Sequence, residues 1–188
     1  MKQHKINDLN NFIAGWYFDD TSICDELIEF HKNSPFRHEG LIGDGINKEI
    51  KDSVDAPLDH EHLFKYYEHL RLVADLYKEK YPYCNYYSGY GIKENVLVQH
   101  YKPNGGYYGW HTERSNTNPI GITRHLVFMT YLNDVNDAGE TEFFHQNLKV
   151  KPEKGLTLIW GSDWTFTHRG IPSSTEDKYI VTGWFNFI

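Results

Sequence analysis

The sequence predicts an α+β chain that is mainly β, with a β-sandwich or jelly-roll core and N-terminal helices packed against it. Two observations predict this class. Helical patterns occupy the first half of the chain, and short runs rich in β-branched and aromatic residues occupy the second half. With 188 residues, we expect residues 1–188 to form a single domain, in which residues 1–94 are a helical support region and residues 95–188 are the core.

Two segments of the first half have helical patterns. In residues 21–33, Asp20 or Thr21 can cap a helix whose apolar residues form one stripe. A longer helix is predicted from Pro57 to about residue 81, because proline is favourable in the first helical turn. Residues 40–55 combine glycines with charged side chains, which predicts a loop.

The second half of the chain contains short apolar and aromatic runs separated by Gly, Pro, Asn and Asp. Such runs are typical of strands. The predicted strands cover residues 96–101, 125–132, 141–144, 156–160, 165–168 and 179–187. A jelly roll built from them would leave an open mouth between its sheets, where ligands commonly bind.

Charge and composition exclude several classes of partner. The net charge of −7 and the pI near 5.8 oppose binding to phosphate backbones, which argues against a nucleic-acid partner. The N-terminus has no apolar signal segment, and no apolar run reaches the ~18 residues of a membrane span. Cys24 and Cys84 have no metal-ligand spacing. We therefore expect a cytoplasmic protein with two free thiols and no membrane partner.

His111-Thr112-Glu113 is the first candidate for chemistry. In a strand, residues i and i+2 share a face, so His111 and Glu113 can converge on one point while Thr112 faces away. With a second histidine from elsewhere, they would form a 2-His-1-carboxylate triad, which suits Fe(II) that must also bind a cosubstrate and O2. About one or two such triplets are expected by chance in this composition, so the triplet alone carries little weight.

Several further motifs follow in order along the chain. They are Gly139-Glu140-Thr141-Glu142-Phe143-Phe144, Val150-Lys151-Pro152, Lys154-Gly155, His168, Lys178 and Trp184. With the His-x-Glu triplet, this order resembles the Fe(II)/2-oxoglutarate-dependent dioxygenase superfamily, specifically its prolyl 4-hydroxylase-like branch. The resemblance covers about residues 95–188 and implies a double-stranded β-helix, the jelly-roll form found in that family.

The resemblance implies a metal site made of His111, Glu113 and His168, which would be both the Fe(II) ligands and the catalytic residues. One of these positions departs from the family pattern. The family usually has Asp as the metal carboxylate, and Glu113 has one additional methylene group. The strand must then retreat, or the Glu113 side chain must fold back, to hold the metal at the same point.

The resemblance also implies how 2-oxoglutarate would bind. Lys178 lies ten positions after His168, where the family has the cation that pairs with the distal carboxylate of this cosubstrate. Tyr101 lies where relatives have a tyrosine whose hydroxyl reaches the same carboxylate, and Thr182 is a further hydrogen-bond donor. In an unbroken strand, Lys178, Thr182 and Trp184 share one face.

For the substrate, the resemblance implies hydroxylation of an unactivated C–H bond, with a prolyl residue of a peptide or protein as the first expectation. The residues expected to contact it are Tyr108, Trp110, Arg114 and Trp184. The loops 43–54 and 115–122 are expected to flank the site. Two alternatives stay open: hydroxylation of a free amino acid or another small molecule, and a non-catalytic metal-binding jelly-roll module.

Overall fold

The computed structural model describes residues 1–43, 45–116 and 119–188. Within these ranges the chain forms two α-helices, α1 (Ser22–Asn33) and α2 (His60–Lys80). The strands are β1 (Lys2–Gln3), β2 (Ala14–Tyr17), β3 (His38–Glu39), β4 (Val54–Pro57), β5 (Tyr90–Gly91), β6 (Leu97–Tyr101), β7 (Arg124–Tyr131), β8 (Thr141–Phe143), β9 (Leu148–Val150), β10 (Leu156–Gly161), β11 (His168–Gly170) and β12 (Lys178–Phe187). Short 3-10 helices lie at Lys5–Asp8, Pro82–Cys84, Gly121–Thr123 and Trp164–Phe166.

The strands form two antiparallel sheets. In the described part of the chain, the large sheet has the order β1-β2-β10-β7-β12-β6-β4-β3, with β5 also paired to β12. The small sheet has the order β11-β8-β9. The prediction of a mainly β, jelly-roll-type chain with packed helices is confirmed. None of the described helices is long and apolar enough to cross a membrane.

Alternation along the central strands produces a core on each face of the large sheet. In β7, Leu126 and Phe128 pack on the helical side, while Val127, Met129 and Tyr131 belong to the core shared with the small sheet. Successive strand residues point to opposite faces, so one strand serves both cores. The large sheet is therefore covered by helices on one face and by the small sheet on the other.

Aspartate side chains accept free amide protons at the start of both helices. Asp59 caps α2, and its carboxylate accepts the amide proton of His62 at 2.9 Å. In α1, Asp20 precedes the N-cap residue Thr21 and accepts the amide proton of Ser22 at 2.8 Å. Each of these hydrogen bonds satisfies an amide that has no partner within the first helical turn. The buried face of α2 then consists of Tyr66, Leu70, Val73, Ala74 and Tyr77.

The predicted start of the second helix at Pro57 is wrong. Pro57 ends β4 and lies opposite Leu97 of β6, and the Leu58 amide continues the pairing to the Val96 carbonyl at 2.9 Å. Proline has no amide proton, which is tolerated at a strand end as it is in a first helical turn. The helix begins only after the strand has ended.

The predicted strand over residues 165–168 is also wrong in part. Trp164–Phe166 forms a 3-10 helix, because the Asp163 carboxylate accepts the Thr165 amide proton at 2.9 Å and turns the chain. Strand β11 begins at His168. This tight turn leads directly into His168 at the start of β11 in the small sheet.

The region 1–94, expected as a helical support, also contributes strands β1 to β5 to the large sheet. Strands β2 and β4 pair with β10 and β6. A sheet edge left open would expose unpaired backbone groups, so these additions extend and protect the core sheet. Neither the apolar pattern nor the predicted loops indicated strands this short.

Candidate functional site

Three side chains of metal-ligand type converge between the two sheets. Potential ligand atoms of His111, Glu113 and His168 all lie within 4.8 Å of one another. Glu113 Oε1 is 3.5 Å from His111 Nε2 and 3.4 Å from His168 Nε2. Among the residues that the structure describes, this is the one group of His, Cys, Asp and Glu with such a geometry.

The two imidazoles are oriented by their other ring nitrogens. Nδ1 of His111 lies 2.9 Å from the Gly109 carbonyl oxygen, and Nδ1 of His168 lies 2.9 Å from that of Phe166. A carbonyl only accepts, so each Nδ1 carries a proton, and Nε2 is the ring nitrogen that faces Glu113. This is the tautomer that a metal-binding imidazole requires.

A backbone bridge holds the two histidines together. The His111 amide donates to the His168 carbonyl at 3.0 Å, and the His168 amide donates back at 2.9 Å. Strand pairing within the triplet is limited to this single bridge at His111, and Glu113 lies in a bend. Thr112 donates its hydroxyl to the Ser162 carbonyl at 2.8 Å, which anchors the triplet to the end of β10. The side chains converge although the strand is absent.

Burial and mutual contacts set the charges of the group. Burial lowers the pKa of His111, and the neighbouring His168 lowers it further, so His111 is neutral at neutral pH. Burial alone would raise the pKa of Glu113, but hydrogen bonds and charge interactions with His111 and His168 hold it well below its usual range. An ionised carboxylate and imidazoles without a proton on Nε2 are the forms in which such groups bind a cation.

The second carboxylate oxygen of Glu113 has its own partner. Trp184 donates its indole Nε1–H to Glu113 Oε2 at 2.9 Å. The Arg124 guanidinium stacks 3.6 Å from the centroid of the Trp184 ring and donates to the Glu113 backbone carbonyl at 2.8 Å. Arg124 is fixed by an ion pair with Glu94. The longer Glu113 side chain is thus held with Oε1 towards the two imidazoles.

Lys178 lies deep in the same space. It opens β12 opposite Tyr101 of β6, and only 4% of the residue is exposed. Burial lowers the pKa of Lys178 to about 8, and the charge of Glu140 acts in the opposite direction. The ammonium group donates to the Gly139 carbonyl at 3.0 Å, its one oxygen partner among the described residues. An ammonium carries three protons, so Lys178 keeps donors for an anion in the cavity.

One cavity of about 910 Å³ joins the histidines, Glu113 and Lys178. Its wall includes the remaining β12 side chains of the face predicted from strand alternation, namely Ile180, Thr182 and Trp184. Thr182 donates its hydroxyl to the Phe128 carbonyl at 3.3 Å, and Tyr101 donates its hydroxyl to Gln99 Oε1 at 2.7 Å. Both hydroxyls are therefore directed to protein acceptors in this structure.

The predicted substrate residues occupy different positions. Trp184 lines the cavity. Tyr108 donates its hydroxyl to the Asn104 carbonyl at 2.6 Å, Arg114 pairs with Asp163 at 3.5 Å, and Trp110 is 40% exposed. These three belong to the outer surface around the mouth. In the flanking loops, Asp44, Thr117 and Asn118 lie outside the described residues, while Gly43, Ser115 and Ile120 line the cavity.

Sequence reasoning missed a buried polar group in the cavity wall. Asp55 accepts from Lys51 Nζ at 2.7 Å, from the Ser53 hydroxyl at 2.8 Å and from Gln99 Nε2 at 3.2 Å. Gln99 in turn accepts from Tyr101. Lys51, Ser53 and Asp55 belong to the segment predicted as a loop, and Gln99 and Tyr101 belong to β6. They meet because β4 pairs with β6 in the folded sheet. The opposite charges at positions 51 and 55 were the one signal in the sequence.

Two other residues at the site also escaped prediction. The Tyr107 ring stacks on the His111 imidazole with 3.6 Å between centroids and 6° between planes. Thr141, at the start of β8, is buried, lines the cavity and accepts from the Tyr131 hydroxyl at 2.7 Å. Thr141 belongs to the Gly139–Phe144 motif, so that motif could have indicated it.

Comparison with known proteins finds one matching family model. A family model described as the 2OG-Fe(II) oxygenase superfamily matches residues 96–186. The matched stretch contains His111, Glu113, His168 and Lys178. A search of curated protein sequences gives no significant match.

Several solved structures share the fold over nearly the whole chain. The viral collagen prolyl hydroxylase of Paramecium Bursaria Chlorella virus-1, in a 2OG complex, is 21% identical, with a TM-score of 0.70 and coverage of 97% of this chain and 99% of that chain. A Pseudomonas putida prolyl-4-hydroxylase is 15% identical, with a TM-score of 0.73 and coverage of 96% and 97%. A Trichoplax adhaerens prolyl hydroxylase, in complex with a hypoxia inducible factor peptide fragment, is 21% identical, with a TM-score of 0.73 and coverage of 96% and 86%.

Proposed function

Residues 96–186 of this chain belong to the 2OG-Fe(II) oxygenase superfamily, and from this premise we propose that the protein hydroxylates a prolyl residue of a peptide or protein. The reaction would insert one atom of O2 into a substrate C–H bond. The other atom would enter succinate, as 2-oxoglutarate loses CO2. The observation that carries the proposal is the cavity that joins a 2-His-1-carboxylate group to a buried lysine.

The donor set fits Fe(II). His111 and His168 present Nε2 lone pairs, and Glu113 presents Oε1 at 3.4–3.5 Å from both. Two imidazoles and one carboxylate occupy one side of a metal and leave other positions open for ligands. Bound there, Fe(II) with 2-oxoglutarate and O2 supplies the oxidising power that an unactivated C–H bond requires.

Lys178 is the proposed anchor of 2-oxoglutarate. A buried ammonium with available protons is costly unless it pairs with an anion, and the distal carboxylate of this cosubstrate supplies one. Thr182 and Tyr101 line the same cavity. For either hydroxyl to donate to the cosubstrate, it must give up its present acceptor, Phe128 O or Gln99 Oε1.

The other residues of the cavity orient the substrate and exclude water. Met129, Ile180 and Trp184 give the cavity apolar walls between its charged ends. No side chain needs to act as a general base, because no proton must be abstracted before the C–H bond reacts. A dry, shaped cavity protects the reaction from competing solvent.

A prolyl residue in a chain is favoured over a small molecule as the substrate. The cavity of about 910 Å³ lies near the upper end of the ~300–1,000 Å³ range of ligand pockets, so it can hold a cosubstrate and a second group. The three structural neighbours named above are prolyl hydroxylases, and one of them carries a bound peptide. A free amino acid would also fit, and the two substrate classes differ in which compound stimulates succinate release.

A non-catalytic metal-binding module is the less favoured alternative. Such a module would not need Lys178, whose charge is buried without a carboxylate partner at hydrogen-bond distance among the described residues. Burying an ammonium in this way destabilises the folded chain. The placement is explained if an anionic cosubstrate binds there.

The proposal is tested by succinate release from 2-oxoglutarate in the presence of Fe(II) and O2. Proline-containing peptides and free amino acids are supplied separately, and the products are examined for a mass gain of one oxygen atom. We expect succinate release to rise with a proline-containing peptide and to match the hydroxyproline formed. The matched control is the His168→Ala variant, which lacks one metal ligand.

Other outcomes separate the alternatives. Turnover that depends on a free amino acid, with no hydroxylation of any peptide, would assign a small-molecule substrate. Fe(II) binding without 2-oxoglutarate binding would identify the non-catalytic module. Hydroxyproline formation by His168→Ala at the wild-type rate would remove the metal site from the proposal.

A further inference from the structure

Four exposed rings form a continuous row beside the cavity mouth. The ring centroids of Trp110 and Phe144 are 5.1 Å apart, those of Phe144 and His145 are 5.2 Å apart, and those of His145 and Trp164 are 5.5 Å apart. Trp110, Phe144 and Trp164 are 40%, 59% and 67% exposed. We call this row the aromatic ridge. Single exposed apolar residues are ordinary on protein surfaces, but contiguous ones mark contact sites.

The backbone ties the aromatic ridge to the metal-ligand segments. The Phe144 amide donates to the Thr167 carbonyl at 2.9 Å, and the Gln146 side-chain amide donates to the Thr165 carbonyl at the same distance. Residues 164–167 lead directly into His168. At the other end of the ridge, Trp110 is adjacent to His111. The ridge is therefore held in a defined position relative to the candidate metal site.

Arg169 connects the aromatic ridge to the cavity. Its guanidinium lies 4.4 Å from the centroid of the Trp110 ring, and the residue lines the cavity next to His168. Arg169 donates to the Glu142 carboxylate at 2.8 Å, which fixes the guanidinium at this position. A chain that leaves the cavity on this side passes over Arg169 and Trp110 and then meets the remaining rings.

We propose that the aromatic ridge binds the part of a peptide substrate that flanks the hydroxylated residue, in an extended or polyproline conformation. This inference rests on the proposed prolyl hydroxylase function. Aromatic surfaces recognise proline-rich segments because such segments are already extended and lose little entropy on binding. With ring spacings of 5.1–5.5 Å, the ridge can contact at most about four or five residues of extended chain.

Charge favours a peptide over other occupants. A nucleic acid or an anionic membrane surface would be repelled by the net charge of −7. Arg169, which lies against the Trp110 ring, is paired with Glu142, and Arg114 is paired with Asp163, the neighbour of Trp164 in the chain. The ridge thus offers aromatic rings beside two arginines that are already paired, which suits an uncharged, proline-rich segment.

The test compares a long and a short substrate. The long one is a single-stranded peptide of about five Pro-Pro-Gly repeats, and the short one is the blocked Pro-Pro-Gly tripeptide. The variants are Trp164→Ala and Phe144→Ala, whose side chains are exposed, so their removal leaves the fold intact. The matched control is Tyr87→Ala, an exposed aromatic residue (82%) whose ring contacts Tyr86.

We expect Trp164→Ala and Phe144→Ala to raise KM for the long peptide by about fivefold to tenfold, as the loss of an aromatic contact does at other interfaces. The kcat for the long peptide, KM for the tripeptide and KM for 2-oxoglutarate should stay at wild-type values. Tyr87→Ala should change none of these quantities.

The outcomes separate this inference from the function on which it rests. If the ridge variants hydroxylate both peptides with unchanged KM values, the peptide-binding role of the aromatic ridge is wrong, and the proposed prolyl hydroxylase function is unaffected. An equal rise in KM for both peptides would mean that the substitutions act in the cavity, which would also contradict the peptide-binding role of the ridge. Failure of the wild-type protein to hydroxylate either peptide would overturn the prolyl substrate, and the ridge assignment with it.

Discussion

The indole Nε1 of Trp184 donates a hydrogen bond to Oε2 of Glu113 at 2.9 Å. This contact leaves Oε1 as the oxygen that faces the Nε2 atoms of His111 and His168. Carboxylates that bind metals commonly have their other oxygen hydrogen-bonded, which fixes their orientation. In this chain the contact also explains how a glutamate, longer by one methylene than aspartate, is positioned.

Removing this donor should weaken metal binding. We predict that Trp184→Phe, which keeps an aromatic ring over Arg124 but loses the N–H group, raises the Kd for Mn(II) or Co(II) by about tenfold. Calorimetric titration without oxygen measures this directly. Trp164→Phe makes the same chemical change at an exposed indole and should leave the Kd unchanged. An unaltered Kd in Trp184→Phe would show that the hydrogen bond does not position Glu113.

Shortening the carboxylate should have a similar effect. Glu113→Asp withdraws both oxygens by about one bond length, so the ligand cannot face the imidazoles and accept from Trp184 together. We predict that this variant binds Mn(II) about tenfold more weakly, with an unchanged melting temperature. Tighter binding by Glu113→Asp would mean that the site was not built around the longer side chain.

Lys178 should control the affinity for 2-oxoglutarate. Replacing it by alanine removes a charge-assisted hydrogen bond worth ~1.5–3 kcal/mol, so we predict that KM for 2-oxoglutarate rises by about tenfold to a hundredfold. Initial rates of succinate release at varied 2-oxoglutarate concentrations measure it. A KM equal to that of the wild-type protein would exclude Lys178 from the cosubstrate site.

The pKa of Lys178 predicts that KM for 2-oxoglutarate depends on pH. Burial lowers its pKa from 10.5 to about 8, so the amine loses its proton, and with it the attraction to a carboxylate, as the pH rises through 8. KM for 2-oxoglutarate should therefore increase above pH 8. In Lys178→Arg the guanidinium stays charged, so this rise should be absent. A rise of equal size in both proteins would assign the titration to another group.

The buried pair of Lys51 and Asp55 should contribute to stability. Their charged atoms lie 2.7 Å apart, with side chains 5% and 1% exposed. Asp55→Ala leaves the ammonium buried without its partner, so we predict a loss of about 3 kcal/mol in the free energy of unfolding. Urea denaturation measures it. The double variant Lys51→Met, Asp55→Leu should recover only part of the loss, because the buried Ser53 hydroxyl and Gln99 amide still lack their acceptor. Equal stability of Asp55→Ala and wild type would contradict the pairing.

The sequence predicted what depends on local pattern. Alternation along β12 placed Lys178, Thr182 and Trp184 on one face, and all three line the cavity. Prediction from the sequence failed where a local pattern is compatible with two structures. Pro57 suits a helix start and a strand end equally, and the cap supplied by Asp163 turns residues 164–166 away from the strand predicted there.

Contacts between distant segments could not be predicted. Arg124 lies 30 positions from Glu94, and Glu113 lies 71 positions from Trp184. Nothing in the local sequence indicates these pairs, because the folded sheets create them. The aromatic ridge was missed for the same reason, since its rings come from three separate segments.

We propose that His111, Glu113 and His168 hold the iron that 2-oxoglutarate turnover requires. The most direct measurement is Fe(II)-dependent succinate release by the wild-type protein and by His111→Ala and His168→Ala, with circular dichroism to confirm the fold. We predict release by the wild-type protein and none above background by either folded variant. Release at the wild-type rate by either variant would contradict the assignment.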